Sequence, residues 1–538
     1  MNFLKMIIKL GGNMLQYAII NILWITAGIY LSRKLRNGFH ILQLEHYKTK
    51  PYRQWRKEHL KKVWNPKELL VILPILITCF YFELGIIIEI IFFILLNVLY
   101  KTEKEKKPFV VTNRIKRMYI TNTIFIAITW SIVNILLKNQ LVVQITNLVY
   151  ISYILVSYYV VVLLNIVNQP IEKAIQTKFY KQAKKKLQNQ SNLKVIGITG
   201  SYGKTSTKYI VSTILEQKYN VLMTPESYNT TMGVVRTINE KLKIEHQIFV
   251  CEMGARNIGD IQQICDLVKP QYGILTSIGP QHLDTFQTIE NVKRTKMELI
   301  NSLPEQGIAF INEEDENIQT ITISNKHIKY GLNKSTCDYY ANNIEITENG
   351  CTFDVHTKDE HTIFVKTKLL GSNNLLNIVG AICVAKEMGL TDEEIKQGVR
   401  LLKPIPHRLE LIRGANGLIM IDDAFNSNIK GSKSALEVLA SFNNHKKIIV
   451  TPGMVELGEK QYEYNKQFGE QIAECADYSI LVGEKQAKPI YDGLKAKKYP
   501  EEKIYIAKNL EEAIQKMNQE ITKDTVVLLE NDLPDNYL

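Results

Sequence analysis

The sequence predicts an α-helical membrane region followed by two α/β units, and three observations carry that prediction. Long apolar stretches and basic loops crowd the first 170 of the 538 residues. Beyond residue 190, short apolar runs alternate with helical patterns, as they do when a parallel sheet is wound with covering helices. The third observation is Lys194-Val-Ile-Gly-Ile-Thr-Gly-Ser-Tyr-Gly-Lys-Thr-Ser-Thr207, an apolar run that passes through a glycine turn into a helix opening on Lys-Thr. A chain of this length exceeds one hydrophobic core, so several domains are expected.

In the first region, residues 14–32, 119–137 and 141–167 are each long enough for one membrane span, since about 20 helical residues cross a hydrocarbon core. Residues 69–100 are longer and interrupted at Glu83-Leu-Gly85, which fits a helical hairpin with Glu83 and Glu89 near its turn. Residues 33–67 carry eleven Lys and Arg and residues 101–118 carry seven, and the positive-inside bias puts both loops on the cytoplasmic side. An even number of crossings must separate them. The expectation is therefore a multi-pass plasma-membrane protein with five spans, an outside N-terminus and catalytic domains in the cytoplasm. Several spans follow the first, which excludes a cleaved signal peptide. The net charge of +12 reads as topology and attraction to anionic membrane lipid, not as a nucleic-acid footprint. Seven scattered cysteines without a CxxC pair read as reduced thiols, with no zinc site.

Residues 171–190 read as a basic linker between the membrane region (1–170) and a central domain over 191–403. Apolar runs at 193–199, 219–224, 248–253, 272–278 and 308–312 predict the strands of that domain. Ligands of wound sheets gather at the carboxyl ends of strands. The polar residues there are Thr199-Gly200, Glu252 and the stretch Gly279 to His282. The first is a P-loop-type turn: Gly200, Ser201 and Gly203 bring backbone N–H groups round phosphate oxygens, Lys204 adds a cation, and the Thr205 and Ser206 hydroxyls follow, Thr205 placed to ligate Mg²⁺. Ile198 stands where the strict eight-residue pattern has its first glycine. Residues 337–368, rich in Thr, Val and Phe, read as a small β insertion, and Lys403-Pro-Ile-Pro406 as a hinge. Runs at 417–421, 446–450, 478–482, 503–507 and 525–529 then predict a second, Rossmann-like α/β domain over 404–538.

Six motifs in order carry a resemblance: Gly197 to Ser206, Glu252-Met-Gly-Ala255, Ser277 to Asp284, Gly371-Ser-Asn-Asn-Leu-Leu-Asn377, His407-Arg-Leu-Glu410 and Ile421-Asp-Asp-Ala-Phe-Asn426. Together they resemble the Mur ligases over about 191–520, and most of all the D-alanyl-D-alanine-adding (MurF) type, which also shares Gly453-Met-Val-Glu-Leu-Gly458. The resemblance implies an ATP-dependent amide ligase working through an acyl phosphate on a peptidoglycan precursor. It implies ATP with two Mg²⁺ ions, one held by Thr205 and Glu252 and the second ligated by His282, and a carbamylated lysine at Lys296. Asn377 corresponds to the adenine contact, Arg408 and Asp423 to the phosphate and ribose clamp, and Asn229 and Thr230 to contacts with the acyl substrate. The implied partners are a UDP-linked or lipid-linked muramoyl peptide and an amino acid or dipeptide.

The chain departs from the pattern at several points. Membrane spans occupy the place of the domain for a UDP-sugar nucleotide. Asn465 lies near a missing histidine, Phe425 replaces a tyrosine, Asn373 replaces a histidine, and the ending Glu530-Asn-Asp-Leu-Pro-Asp-Asn-Tyr537 replaces a basic one. Two alternatives stay open at this point: a glutamate- or folate-type ligase of the same superfamily, and a membrane protein whose nucleotide domain is a regulatory switch.

Overall fold

The computed structural model describes residues 2–532 apart from 101–107, 137–139, 282, 333–335, 348–349, 405, 415–416, 425–427 and 456. The chain divides into two compact units, one running to Ile175 and the other starting at Gln176.

The first unit is helical. Expected span 14–32 lies inside one helix, Asn2–Leu44, and residues 119–136 lie inside Asn113–Leu136. The expected hairpin is Ile72–Phe80 followed after Tyr81 by Phe82–Leu99. Its arms are unequal: nine residues at about 1.5 Å each cover only about half a hydrocarbon core. Phe82–Leu99 is the one helix among the described residues long and apolar enough to cross alone, with a mean hydropathy of 2.4 over 18 residues. The stretch 141–167 divides at Val156 into two helices bent by 84°. Against the five expected spans, the described residues hold one candidate span and one bent pair. The expected linker 171–190 is a helix instead, since Ser157–Gln188 runs through it; its Lys, Gln and Ala residues are good helix formers.

Inside this unit Leu23, Tyr30, Phe39, Tyr52, Phe93 and Val161 form a common core. The buried Lys34 and Glu68 form an ion pair, and the Tyr30 hydroxyl donates to Glu68 Oε1 at 2.7 Å. These three buried polar side chains thus satisfy one another, which offsets the cost of their burial.

The second unit holds two sheets. The first contains β1 (Lys194–Thr199), β2 (Val221–Met223), β3 (Ile248–Glu252), β4 (Tyr272–Leu275), β5 (Ile308–Asn312), β6 (His327–Gly331), β7 (Tyr339–Thr347), β8 (Gly350–His356) and β9 (Thr362–Thr367). Their order is β2-β3-β1-β4-β5-β6-β7-β8-β9. The pairs up to β6–β7 are parallel and the last two antiparallel. The expected β insertion is therefore the far end of the main sheet. Alternate residues of β1 serve opposite faces: Ile196 and Ile198 pack with Ile210 and Ile378, while Val195 packs with Val234 and Ile264. Helices on both faces explain why the central strands read as unbroken apolar runs.

The second sheet contains β10 (Glu410–Arg413), β11 (Ile419–Asp423), β12 (Lys446–Thr451), β13 (Tyr478–Val482), β14 (Ile504–Ala507) and β15 (Thr525–Glu530), ordered β10-β11-β15-β12-β13-β14. Only the β10–β11 pair is antiparallel. The predicted runs of this domain fall on β11 to β15.

Candidate active site

The phosphate turn joins β1 to the helix Lys204–Leu215. Gly200 has φ 155° and Gly203 φ 80°, and a Cβ on Gly200 would meet Thr276 Oγ1 at 2.0 Å. Glycine is needed at both positions. The turn is tied to the end of β4: Ser201 N–H donates to Ser277 O at 2.8 Å, and Tyr202 N–H donates to Ser277 Oγ at 2.7 Å. Ser201 Oγ donates to Gly279 O at 3.0 Å. Lys204 folds over the turn and donates to the carbonyls of Gly200 and Ser201 at 2.6 and 2.9 Å. Burial pushes its ammonium down to about 8, Glu252 works the other way, and Arg408 adds to the fall.

Glu252 ends β3, the strand next to β1, so the sheet places its carboxylate beside the turn. Thr205 Oγ1 donates to Glu252 Oε1 at 3.1 Å, and Asn229 Nδ2 donates to the same oxygen at 2.9 Å. Lys208 Nζ lies 3.0 Å from Oε2, with both side chains buried. Burial alone would raise the carboxyl, but Lys208, the Asn229 amide and Lys204 outweigh it and hold the group below its ordinary value. Thr205 and Glu252 are two hard oxygen donors side by side, a set that fits Mg²⁺ supplemented by phosphate oxygens.

Arg408 sits between two left-handed residues, His407 (φ 62°) and Leu409 (φ 49°). Such backbone costs about 1–2 kcal/mol per residue, and here it is held by side chains at the end of β11. His407 Nδ1 lies 2.8 Å from Asp422 Oδ2, and Leu409 N–H donates to Asp423 Oδ1 at 3.1 Å. Burial raises Asp423 to about 6, against the pull of that N–H and of Arg408.

A cavity of about 390 Å³ brings these parts together. It is lined by Gly203, Ser206, Asn377, Arg408 and Asp423, so five of the predicted nucleotide contacts share it. Asn377 accepts from Thr207 Oγ1 at 3.0 Å. Asn374 also lines the cavity, as its spacing from Asn377 on the helix Ser372–Glu387 predicts. Gly200, Ser201, Lys204, Thr205 and Glu252 form the adjoining glycine-turn end, the part expected to hold phosphate. Thr230 caps the helix Thr231–Lys241 by accepting from Gly233 N–H at 3.3 Å, so its hydroxyl is engaged locally.

Lys296 lies on the helix Ile289–Asn301 and is 2% exposed. Burial, reinforced by Lys204, depresses its ammonium well below the ordinary lysine value. His282 and Phe425 lie outside the described residues, and among the described residues no three His, Cys, Asp or Glu side chains converge as a metal site. Asn465 is structural: its Oδ1 accepts from Met454 N–H at 2.8 Å and its Nδ2 donates to Met454 O at 2.9 Å, fixing the loop after β12. Asn373 donates to Lys430 O at 3.0 Å and lines the cavity. Sequence reasoning missed Lys208, Asn312 and Lys430. The first sits one turn beyond Lys204 on the same helix face, a spacing that could have flagged it.

Residues 198–385 match the Mur ligase middle domain, and residues 407–530 match the Mur ligase glutamate ligase domain. The chain is 31% identical over 307 residues to the UDP-N-acetylmuramoyl-tripeptide–D-alanyl-D-alanine ligase of Escherichia coli (strain K12), covering 56% of this chain and 67% of that protein. Against the protein of the same name from Bacillus subtilis (strain 168) it is 31% identical over 281 residues, covering 52% of this chain and 60% of the relative. The chain thus spans about 60–67% of the length of these two relatives. Among solved structures it is similar to the MurF ligase of Thermotoga maritima in complex with ADP, with a TM-score of 0.60, 28% identity, and 66% of this chain and 80% of that one covered. It is similar also to MurF of Acinetobacter baumannii, with a TM-score of 0.61, 26% identity and coverages of 67% and 78%. Two matching domains in order, enclosing a cavity built from the motif residues of both, establish that the chain belongs to the Mur ligase family.

Proposed function

We propose that this protein is a MurF-type, ATP-dependent carboxylate–amine ligase that joins a dipeptide to a muramoyl peptide precursor. The observation that carries the reading is the shared cavity: Gly203 and Asn377 from one domain face Arg408 and Asp423 from the other. A generic nucleotide switch has no need of this second-domain clamp. In the ligase reaction, a substrate carboxylate attacks the γ-phosphorus of ATP, ADP leaves, and the resulting acyl phosphate is attacked by an amine with release of phosphate. Lys204 and the N–H groups of the turn stabilise charge on the transferring phosphoryl oxygens, and Arg408 neutralises phosphate from the other side. Asn377 orients the base and Asp423 accepts from the ribose. Thr205 and Glu252 would hold Mg²⁺, which would supply charge screening to the phosphates. Lys296, whose ammonium is depressed by burial, fits the chemistry of carbamylation, which would turn it into an anionic metal ligand.

The membrane reading rests on Phe82–Leu99. Leu84, Ile91, Leu95, Val98 and Leu99 on that helix are each more than half exposed, where a core helix of a soluble protein would be covered. Lipid is the occupant such a face fits, and it favours action on a precursor at the cytoplasmic membrane face. The test uses the full chain in detergent with ATP, Mg²⁺, D-alanyl-D-alanine, and either UDP-linked or undecaprenyl-linked muramoyl tripeptide. Phosphate release matched by a new amide in the mass spectrum is expected. ATP hydrolysis without amide across both acyl substrates and a panel of amino acids would sink the ligase reading, and release of the protein from membranes by alkaline carbonate would sink the anchored one.

A further inference from the structure

The mechanism above leaves one buried cation unused. Lys208 lies on the helix Lys204–Leu215, one turn after Lys204, and is 0% exposed. Its Nζ is 3.0 Å from Glu252 Oε2 and donates a hydrogen bond to the backbone carbonyl of Glu226. Glu226 belongs to the loop between β2 and the helix Thr231–Lys241 and is itself in the left-handed region, with φ 41°. The loop is strung around Glu252 at two further points. Glu252 N–H donates to Thr224 Oγ1 at 3.0 Å, and Asn229 Nδ2 donates to Glu252 Oε1 at 2.9 Å.

A non-glycine residue in left-handed backbone persists only where its surroundings hold it there, and the Lys208 ammonium is a charge-assisted donor aimed at that peptide. The same ammonium takes one carboxylate oxygen of Glu252 and leaves the other facing Thr205. We propose that Lys208 is a positioning residue that locks the acyl-substrate loop 224–230 to the Mg²⁺–phosphate end of the site through Glu226 and Glu252. The inference rests on the ligase reading for what the loop binds, while the loop–carboxylate linkage stands on the geometry alone. Acyl substrate and nucleotide then share one support, so a disturbance at Lys208 reaches both, and the amine, bound from elsewhere, is spared.

The test compares Lys208→Met, Lys208→Arg and Glu226→Pro in the full-length protein in detergent. Proline cannot adopt φ 41°, so Glu226→Pro frees the loop, and the carbonyl that Lys208 holds, while the Lys208 and Glu252 side chains stay unsubstituted. Lys208→Met is expected to raise KM for UDP-N-acetylmuramoyl tripeptide and the Mg²⁺ concentration needed for ADP binding by tenfold or more each, with KM for D-alanyl-D-alanine unchanged. Lys208→Arg should recover part of both. Glu226→Pro should raise only the tripeptide KM. Limited proteolysis without nucleotide or metal should cut both Lys208→Met and Glu226→Pro within 224–230 faster than the parent. Failure of the parent to make amide would refute the ligase reading and leave the proteolysis and ADP titrations to judge the linkage. Unchanged cleavage in Glu226→Pro, or a folded Lys208→Met with parental KM and Mg²⁺ dependence, would overturn the proposal.

Discussion

Lys430 Nζ lies 2.7 Å from Asp315 Oδ2, and this ion pair joins the domain of the first sheet to that of the second at the rim of the nucleotide cavity. Asp315 is fully buried just after β5. It also accepts from the N–H groups of Asn317, Ile318 and Ile278. Lys430 is 45% exposed at the start of the helix Ile429–Ala440. The carboxylate is thus anchored by backbone in one domain, and the lysine is the part that arrives when the domains meet.

Lys430→Ala should therefore weaken ADP binding about 3- to 10-fold, in line with a partly exposed ion pair worth about 1 kcal/mol. Its melting temperature should barely change. Asp315→Ala removes the helix cap as well and should cost about 2 kcal/mol of stability. Titration calorimetry with ADP and thermal unfolding of the two variants separate the roles; equal loss of stability in both would contradict a docking contact.

Asp423 sets a pH dependence. Its carboxyl is raised to about 6 by burial, and only the ionised form can accept from both ribose hydroxyls. Nucleotide affinity should fall as pH drops through about 6. The sign for stability is opposite: a carboxyl raised above its unfolded value destabilises the folded state progressively as pH climbs from the ordinary value, and the loss is complete above about 6. Asp423→Asn should therefore melt higher at pH 7.5 than the parent, bind ADP more weakly, and lose the pH dependence below 7. A parental pH profile in that variant would remove Asp423 from the nucleotide contact.

Lys204→Ala should reduce phosphate release by about 10³-fold or more, as expected when the phosphoryl cation is lost. Because burial already pushes this ammonium down to about 8, removing it relieves a desolvated charge, and the melting temperature should not fall. Full product formation by the variant would place the γ-phosphate elsewhere.

The legible parts of the fold are those where burial leaves a pattern. The runs ending at Thr199, Glu252 and Asn312 are buried along nearly their whole length, so each stands out as apolar sequence, and the last residues of the first two mark the site. β6 was invisible because only Ile328, Tyr330 and Gly331 of His327-Ile-Lys-Tyr-Gly331 are buried. Without it, β7 to β9 read as an insertion; with it, the Tyr330–Tyr339 pairing continues the sheet. Ser157–Gln188 turns from apolar to Lys-rich halfway along, and the two units divide within it at Ile175 and Gln176, so composition reads as a boundary although the helix itself is continuous. Lys208 and Lys430 share one difficulty. A lysine on a helix reads as solvated surface, and only tertiary packing shows the first buried against Glu252 and the second reaching Asp315.

Lys296 offers the sharpest chemical test. Its side chain is buried, and among the described residues it has no hydrogen-bond or ion-pair partner, while burial and Lys204 hold its ammonium well below the ordinary value. A lysine whose ammonium is depressed gives up its proton more readily, the free amine is nucleophilic toward CO₂, and its carbamate would bring a negative charge to a place where Lys204 now repels a positive one. Activity should therefore fall in CO₂-depleted buffer, return on adding bicarbonate, and decline at low pH, where carbamates decompose. Lys296→Ala should lose both activity and the bicarbonate response, and NMR with ¹³C-labelled bicarbonate should give a carbamate signal in the parent alone. A parent whose rate ignores CO₂, with no such signal, would leave Lys296 as a buried side chain that contributes to packing only.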